Sequence, residues 1–376
     1  MIKIGILTFH WADNFGAVLQ AYALQQTLIS LGIDAKIINF APRNLNADYR
    51  LFPNPIQMAQ LRGMKTTALS YASRLRRFNQ VRGRVRSFSD FRKNHLRLSG
   101  DTFDSIEKLK KVCSEFDICI VGSDQVWNPD FLSLCCNAYL LPFDLGMTRK
   151  VSYAASVSNR LTENWIELFK RHLKPFWQIS VRERSTCNEL SGILGRQIFH
   201  VADPTVLLTE DDYIKLQNNI SNIGPQRYLL VYNFGTDPLP IAEYVANRLG
   251  LPIIAYSKPR KYQLSNFYRE FSDMGPKEFL YLLKNAAYVV TNSFHGTVFS
   301  IMFEKPFITV PHQTRSIRMI ELLNDVGLED RIAKDISVLD DKIDFDIDKY
   351  KLAKETLKEK RECSFEFLRG IVNDSI

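Results

Sequence analysis

The sequence predicts an α/β protein made of two doubly wound, Rossmann-like domains. Three observations lead to this fold class. Short apolar strand patterns alternate with helical patterns, the alternation starts again near Arg227, and 376 residues are too many for one ordinary core. Such alternation is typical of parallel strands joined by right-handed crossovers. The stretch 203–226 separates the two series, so we expect an N-terminal domain of residues 1–208 and a C-terminal domain of residues 209–376 that face one cleft.

The first series opens with a strand and a helix. The predicted helix over 17–31 has an apolar side and stops at Gly32, a residue that suits a helix end. Apolar runs predict strands over 2–8, 34–40, 117–121, 150–156, 178–182 and 197–201.

The second series repeats this pattern. Its predicted strands cover 227–235, 251–257, 286–291 and 307–310. Its predicted helices cover 240–249, 277–284 and 315–326, and residues 346–372 are expected to form one long C-terminal helix. This helix is assigned to the second domain, with a return onto the first domain as the open alternative.

The composition argues against a membrane-spanning, a secreted and a metal-binding protein. The apolar fraction is 45%, and no run reaches the roughly 18 apolar residues of a membrane span. The first residues lack the pattern of a secretory signal, so we expect a cytoplasmic protein, with the inner face of the membrane as an alternative. Six scattered cysteines form no CxxC pair and no zinc-like cluster with histidine, so no bound metal is expected.

The net charge of +8 is concentrated in residues 73–100, which hold nine Arg or Lys and the single acid Asp90. Leu75 begins an apolar stripe that recurs every three or four residues through Phe91, so the segment predicts one amphipathic helix. It is either a packed helix with a solvated charged face or a dock for anionic lipid or a phosphate-bearing acceptor. No nucleic-acid motif accompanies it, so nucleic acid is not an expected partner.

Ligands of open α/β sheets bind beyond the carboxyl ends of the strands, and four motifs fall at such ends. The first is "TFHWADNFG" at 8–16, where a turn with Asp13 and Asn14 is suited to an anion at a helix N-terminus. The alternative is a helix start capped by Asn14, with a structural His10.

The second motif is "VGSDQVWNPD" at 121–130. Asp124, Gln125, Trp127 and Asn128 combine carboxylate, amide and indole groups, a mixture that sugar sites use. A solvent loop with one buried tryptophan is the equally open alternative. We therefore expect acceptor contacts from this loop and from the 8–16 turn.

The third and fourth motifs carry cations and a histidine. In "SVRERST" at 180–186, Arg182 and Arg184 suit a carboxylate or phosphate, with a structural ion pair as the alternative. In "TNSFHG" at 291–296, His295 follows Ser293 at a predicted helix N-terminus. That position favours a neutral imidazole able to accept a proton, and a capped core histidine is the alternative.

These motifs, in this order, resemble the polysaccharide pyruvyl transferase family. The resemblance rests on "GILTFHWADNFGAVLQAYALQ", "VGSDQVWNP", "SYAASV", "SVRERS", "DPTVLL" and "TNSFHGTVFSI…KPFITV", and runs from residue 1 to about 330. It implies a GT-B-like pair of Rossmann-type domains. It also implies transfer of pyruvate from phosphoenolpyruvate, as co-substrate and without a further cofactor, to a sugar of a cell-surface polysaccharide or its lipid-linked precursor.

Residue roles carry over selectively. Arg182 resembles the strand-end arginine of the family, His295 its histidine, and Arg315 a later cation, with Arg318 as the competing choice. The resemblance implies that these cations hold the donor and that His295 acts as general acid or base, with Asp124 as a second candidate.

One position departs from the family. Many members have Arg-Leu-His where this chain has Ser293, Phe294 and His295. Either Arg184, Arg315 or Arg318 replaces that arginine, or the donor differs. Two other functions stay open: a GT-B glycosyltransferase with a nucleotide-sugar donor, and a non-catalytic binding or scaffolding member of the family.

Overall fold

The computed structural model describes the chain except residues 47–48, 159–160, 218–219, 221–222, 236, 258–262, 312–316, 340–342, 344–345 and 374–376. The chain forms two compact units, residues 1–207 with 361–376 (unit 1) and residues 208–360 (unit 2). Each is a parallel sheet with helical crossovers, which confirms the predicted α/β fold class.

The bounds of the elements follow the predicted alternation closely. The strands are β1 Lys3–Leu7, β2 Asp34–Ile37, β3 Ile118–Val121, β4 Arg149–Ala155, β5 Gln178–Val181, β6 Phe199–His200, β7 Leu229–Tyr232, β8 Ile253–Ala255, β9 Phe267–Glu270, β10 Tyr288–Thr291 and β11 Phe307–Thr309. The helices are α1 Phe15–Ser30, α2 Arg43–Asn46, α3 Pro55–Arg62, α4 Met64–Arg76, α5 Phe78–His95, α6 Ile106–Cys113, α7 Pro129–Leu132, α8 Glu163–Leu173, α9 Arg184–Leu194, α10 Glu210–Leu216, α11 Pro238–Leu249, α12 Pro276–Asn285, α13 Phe294–Met302, α14 Ile317–Asp325 and α15 Ile347–Asn373.

The strands of unit 1 lie in the order β2-β1-β3-β4-β5-β6 and are parallel. Every residue of β3 is buried, because a parallel sheet is covered by helices on both faces. The strand order reverses between β1 and β3. This reversal is the point at which doubly wound sheets open a crevice for ligands.

The strands of unit 2 lie in the order β11-β10-β7-β8-β9, again parallel, and the order reverses between β7 and β10. The sequence did not predict β9. This strand is an edge strand whose residues are half-buried or exposed. It therefore lacks the apolar run that marks the other strands of this sheet.

The predicted C-terminal helix is confirmed as α15, but its assignment to the second domain needs a correction. Its last part belongs to unit 1, where Leu368, Ile371 and Val372 are buried in the core that β1 helps to form. Ser364 Oγ also accepts a hydrogen bond from the Ala202 amide at 2.9 Å. The earlier part of α15 packs in unit 2, where the Tyr350 ring lies 5.6 Å from that of Phe307.

The basic segment also differs from the prediction of one helix over 73–100. The chain breaks at Arg77 into α4 and α5. Phe88 and Phe91 of α5 are buried as the stripe predicted, whereas Leu75 of α4 is 66% exposed. The turn at Arg77 explains the difference, because it takes Leu75 off the face that α5 buries.

Candidate functional site

The two strand-order reversals place the sequence motifs. In unit 1 the loops 8–14 and 122–128 leave β1 and β3, which flank the reversal. In unit 2 the segment 292–293 leaves β10 and leads into α13, beside the loop that follows β7. Both are positions where doubly wound sheets bind ligands.

The β10–α13 junction is held by hydrogen bonds within the junction and to the end of β7. The Thr291 hydroxyl donates to the Tyr232 carbonyl at 2.7 Å and accepts from the Ser293 amide at 3.0 Å. Ser293 caps α13, with its Oγ accepting from the Gly296 amide at 3.4 Å. Asn292 bonds the amide and the carbonyl of Phe234 at 2.8 Å each. The junction is therefore tied to β7 across the reversal.

His295 is the second residue of α13 and is buried, with 6% of its surface exposed. Its imidazole meets the Phe294 ring edge-on at 5.3 Å. The guanidinium carbon of Arg318 lies 5.7 Å from the centre of the same Phe294 ring. The structure thus brings Ser293, His295 and Arg318 to one helix N-terminus, while Arg315 lies outside the described residues.

Close packing at this junction leaves no room for a side chain at position 296, which is a glycine. A Cβ atom on Gly296 would stand 2.4 Å from Thr291 Oγ1, the hydroxyl that ties β10 to β7. We expect Gly296→Ala to destabilise the protein by about 1–3 kcal/mol, as overpacking does. Chemical denaturation measures it. Gly192→Ala in α9 is the control, since its Cβ meets nothing within 4 Å, and an equal effect of both variants would contradict the packing argument.

At the end of β5 in unit 1, Arg182 lies among carboxylates. Its Nη1 is 2.5 Å from Asp203 Oδ2, its Nε 3.6 Å from Glu183 Oε1, and its Nη2 3.9 Å from Asp124 Oδ1. The side chain of Arg182 is 3% exposed. Ser156 Oγ donates to Glu183 Oε1 at 2.5 Å. The geometry favours the structural ion pair that the sequence left open.

Electrostatics supports this interpretation. Burial alone would lower the pKa of the Arg182 guanidinium, but the charges of Asp203, Glu183 and Asp124 raise it above its ordinary value. Arg182 therefore stays cationic and neutralises its neighbours. Arg184, two residues on, is exposed at the start of α9.

Asp203 lies in the "DPTVLL" motif but was not among the predicted site residues. Asp203 Oδ1 accepts from the Thr205 amide at 3.0 Å and from the Thr205 hydroxyl at 2.7 Å, while Oδ2 faces Arg182. An aspartate before a proline and a threonine at a strand end is a recognisable cap. That signal would have found it.

Two of the acceptor contacts predicted in the loop after β3 need correction. Trp127 is fully buried, and its Nε1 donates to the Tyr139 carbonyl at 3.0 Å, so this ring belongs to the core and is not presented to a sugar. Asn128 is also fully buried and caps α7 through the Asp130 amide at 2.9 Å. Gln125 and Asp124 stay partly accessible. Asp124 and Gln125 are therefore the predicted site residues of this loop that solvent can reach.

Gly122 fixes the shape of the same loop. Its φ is +123°, and a Cβ atom there would stand 2.1 Å from the Tyr153 carbonyl oxygen. Only glycine combines that backbone conformation with so close an approach. The backbone of Asp124 then pairs with Ala155 at the end of β4, which holds the Asp124 carboxylate near Arg182.

The loop after β1 is largely structural. His10 is 1% exposed, and its ring nitrogens lie 3.2 Å from the Thr8 carbonyl and 3.1 Å from Asn39 Oδ1. Burial lowers the pKa of His10 to about 4, so the ring is neutral near pH 7. The expected acceptor contact from His10 is corrected to a core position. Asn14 caps α1 by accepting from the Ala17 amide at 3.1 Å.

Asp13 is the buried carboxylate of this loop. Its Oδ1 lies 3.0 Å from Arg92 Nη1 of α5, and its Oδ2 is buried without a hydrogen-bond partner among the described residues. Burial raises the pKa of Asp13 to about 6, although Arg92 acts to lower it. The ion pair with Arg92 therefore only partly offsets the cost of burying this charge.

This shift predicts a pH dependence of stability. The pKa of Asp13 is about 6 in the folded protein against an ordinary value of 3.8, so the stabilisation from the bound proton is complete below about pH 4 and is lost as the pH rises through 6. Asp13→Asn has no carboxyl group and cannot undergo this loss. As the pH rises from 4 to 7, we expect the free energy of unfolding of Asp13→Asn to increase relative to that of wild type by up to about 3 kcal/mol. Urea titrations across this range measure it.

The exposed Asp101→Asn is the control for this pH series. A difference between wild type and Asp13→Asn that stays constant with pH would contradict the assignment of Asp13.

Among the described residues, no group of three or more His, Cys, Asp or Glu side chains is arranged to hold a metal ion. No helix in the described part of the chain is long and apolar enough to cross a membrane.

Comparisons with known proteins bear on both fold and family. A family model described as polysaccharide pyruvyl transferase matches residues 14–314. A comparison with curated proteins gave no match.

Solved structures share the fold at low identity. UDP-GlcNAc 2-epimerase from Methanocaldococcus jannaschii is 13% identical over 99% of this chain and 100% of its own, with a TM-score of 0.50. UDP-N-acetylglucosamine 2-epimerase from Rickettsia bellii is 10% identical over 98% of each chain, with a TM-score of 0.51. Glycyrrhiza uralensis UGT73P12, complexed with glycyrrhetinic acid 3-O-monoglucuronide, is 10% identical over 100% of this chain and 96% of its own, with a TM-score of 0.51. These likenesses show the GT-B fold and nothing finer.

Proposed function

Because the chain belongs to the polysaccharide pyruvyl transferase family, we propose that it transfers pyruvate from phosphoenolpyruvate to two hydroxyls of a glycan and forms a cyclic ketal. The observation that carries the proposal is the β10–α13 junction, where a histidine and a nearby guanidinium stand at a helix N-terminus. A helix N-terminus favours an anion, and phosphoenolpyruvate carries two anionic groups.

The donor is proposed to bind at this junction in unit 2. Arg318 supplies a cation for the carboxylate or the phosphate, and Ser293 provides a hydroxyl at the helix start. Arg315 stays a predicted donor ligand outside the described residues. Arg182 is proposed to act indirectly, by holding the carboxylates of Asp124 and Glu183, because its own charge is already balanced.

The proposed reaction balances without a metal ion. A proton adds to C3 of phosphoenolpyruvate, C2 becomes oxocarbenium-like, and the first sugar hydroxyl forms a C–O bond at C2 as it loses its proton. The second hydroxyl then forms the other C–O bond, also losing a proton, as the bond from C2 to the phosphate oxygen breaks. His295 is proposed to accept a hydroxyl proton or to donate one to the departing phosphate. Guanidinium groups stabilise the anionic charge.

The acceptor is proposed to be a glycan, free or lipid-linked, that contacts the accessible part of the loop after β3. Asp124 and Gln125 are the groups of that loop that stay partly accessible. A carboxylate and an amide are suited to hydrogen bonds with sugar hydroxyls. Asp124 remains the second acid or base candidate.

Calorimetric titration of phosphoenolpyruvate tests the donor. We expect saturable binding to wild type and to Arg248→Met, an exposed arginine on α11 of the same unit, and loss of binding in Arg318→Met. Retained binding in Arg318→Met would remove Arg318 from the donor site. Binding of uridine or guanosine diphosphate, with none of phosphoenolpyruvate, would overturn the proposal in favour of a nucleotide-sugar donor.

A further inference from the structure

The helices α3–α5 and the turn before them are strongly cationic. Residues 49–89 contain nine Arg or Lys and no Asp or Glu. Arg76, Arg82 and Arg86 of this segment are exposed. We call the described side chains of residues 49–89 the cationic helical surface.

The same surface exposes large apolar side chains. Met64 is 80% exposed, Leu69 64% and Leu75 66% on α4, and before it Phe52 is 62% and Ile56 69% exposed. Lone exposed apolar residues are ordinary, but a group of them confined to one segment marks an interaction site.

The apolar residues of α4 follow helical spacing. Met64, Ala68, Ala72 and Leu75 recur at intervals of four, four and three residues, which places them on one side of the helix, and all of them are exposed. Thr67 is the buried residue of α4. The helix therefore directs an apolar stripe at solvent, with Lys65 and Arg76 beside it.

The inner side of this surface is anchored in unit 1. The Phe88 ring of α5 stacks on Phe15 of α1 at 5.3 Å, and Arg92 pairs with Asp13 at 3.0 Å. Packing thus accounts for the buried residues of α5. It does not account for the exposed apolar stripe of α4, whose side chains face solvent among the described residues of unit 1.

We propose that the cationic helical surface docks on an anionic lipid bilayer, a property that goes beyond the pyruvyl transfer proposed above. Charge complementarity selects an anionic partner. A soluble phosphate-bearing ligand would neutralise the arginines and leave Met64, Leu69 and Leu75 in water. The interface of an anionic bilayer can bind both the cations and the apolar side chains. Its headgroups pair with the arginines, and the boundary of the acyl region buries the apolar side chains.

Vesicle flotation tests the proposal without donor, acceptor or turnover, so its outcome is independent of the proposed function. The full chain is mixed with vesicles of phosphatidylglycerol and phosphatidylcholine in equal parts, or with phosphatidylcholine alone. We expect flotation with the anionic vesicles, weaker at high salt because salt screens the attraction, and little with the neutral ones. No flotation with anionic vesicles, or equal flotation with both, would overturn the proposal.

Two sets of variants separate the charge from the apolar stripe. Arg76→Glu, Arg82→Glu and Arg86→Glu together should weaken the partition coefficient at least about a hundredfold, since each cation near an anionic surface contributes about fivefold. The matched control reverses exposed cations on or directly after other helices of unit 1, in the triple variant Lys110→Glu, Arg171→Glu and Lys174→Glu. A similar loss in the control would overturn the localisation.

Replacement of the apolar stripe tests the bilayer itself. Met64→Ser and Leu75→Ser together should lower binding at least about tenfold. Leu352→Ser, at a position 67% exposed, should leave it unchanged. Wild-type binding in the stripe variant would overturn insertion and leave electrostatic adsorption to phosphate groups. Capture by soluble polyglutamate but not by vesicles would assign the surface to an acidic protein instead.

Discussion

His295→Gln should lower the rate of pyruvyl transfer by about 10²–10⁴-fold, the usual contribution of a positioned proton donor or acceptor. Glutamine keeps a polar side chain of similar length but cannot exchange a proton near neutral pH. His295 stands at the N-terminus of α13, where the helix dipole favours an anionic ligand. Turnover of phosphoenolpyruvate with a glycan acceptor measures the effect.

Two controls make this experiment decisive. His172→Gln changes a histidine of unit 1 near the amino end of β5, and it should keep wild-type turnover. Circular dichroism and thermal unfolding of His295→Gln should match wild type. A variant that fails to fold would instead support a core histidine, and a folded variant with full turnover would remove His295 from the mechanism.

Arg182→Met should have the largest effect on stability, a loss of about 3–5 kcal/mol near neutral pH. Removal of one partner from a buried ion pair leaves the other charge uncompensated. Here Asp203 and Glu183 would be left buried, at 2% of their surface each, around an apolar side chain. Urea denaturation near neutral pH measures the loss.

Arg184→Met is the matched control, since Arg184 is exposed two residues away. We expect it to change the free energy of unfolding by less than about 0.5 kcal/mol. If Arg182→Met were as stable as wild type and lost only phosphoenolpyruvate binding, the arginine would hold the donor directly and the structural interpretation would be wrong.

Much of the fold was predictable because buried parallel strands have short, nearly continuous apolar sequences. The residues 286–291 and 117–121 were predicted as strands, and β10 and β3 lie within them. The edge strand β9 was not predicted, because its residues are partly exposed and form no apolar run. The helix break at Arg77 was not predicted either, since the apolar spacing continues through the residue at which the chain turns.

The candidate site was predictable at its strand ends but not in its side chains. The end of β10 and the start of α13 lie within three residues of each other, so the pattern along the sequence located the junction that carries Ser293 and His295. Whether Trp127 stacks on a ligand or fills the core depends on Tyr139, a residue that only the folded chain brings to it. No spacing rule links the two.

The sequence by itself determined the α/β class and the position of the polar motifs at the carboxyl ends of strands, because these depend on periodicity along the chain. The family was indicated by the resemblance of its motifs and is shown by the match over residues 14–314. Only the tertiary structure decided which of those motifs carry accessible groups. His10 is neutralised by burial beside Asn39, and Arg182 is paired with Asp203, through contacts between residues 29 and 21 positions apart. Burial and charge pairing are set by such contacts across the fold, so one sequence read along its length cannot supply them.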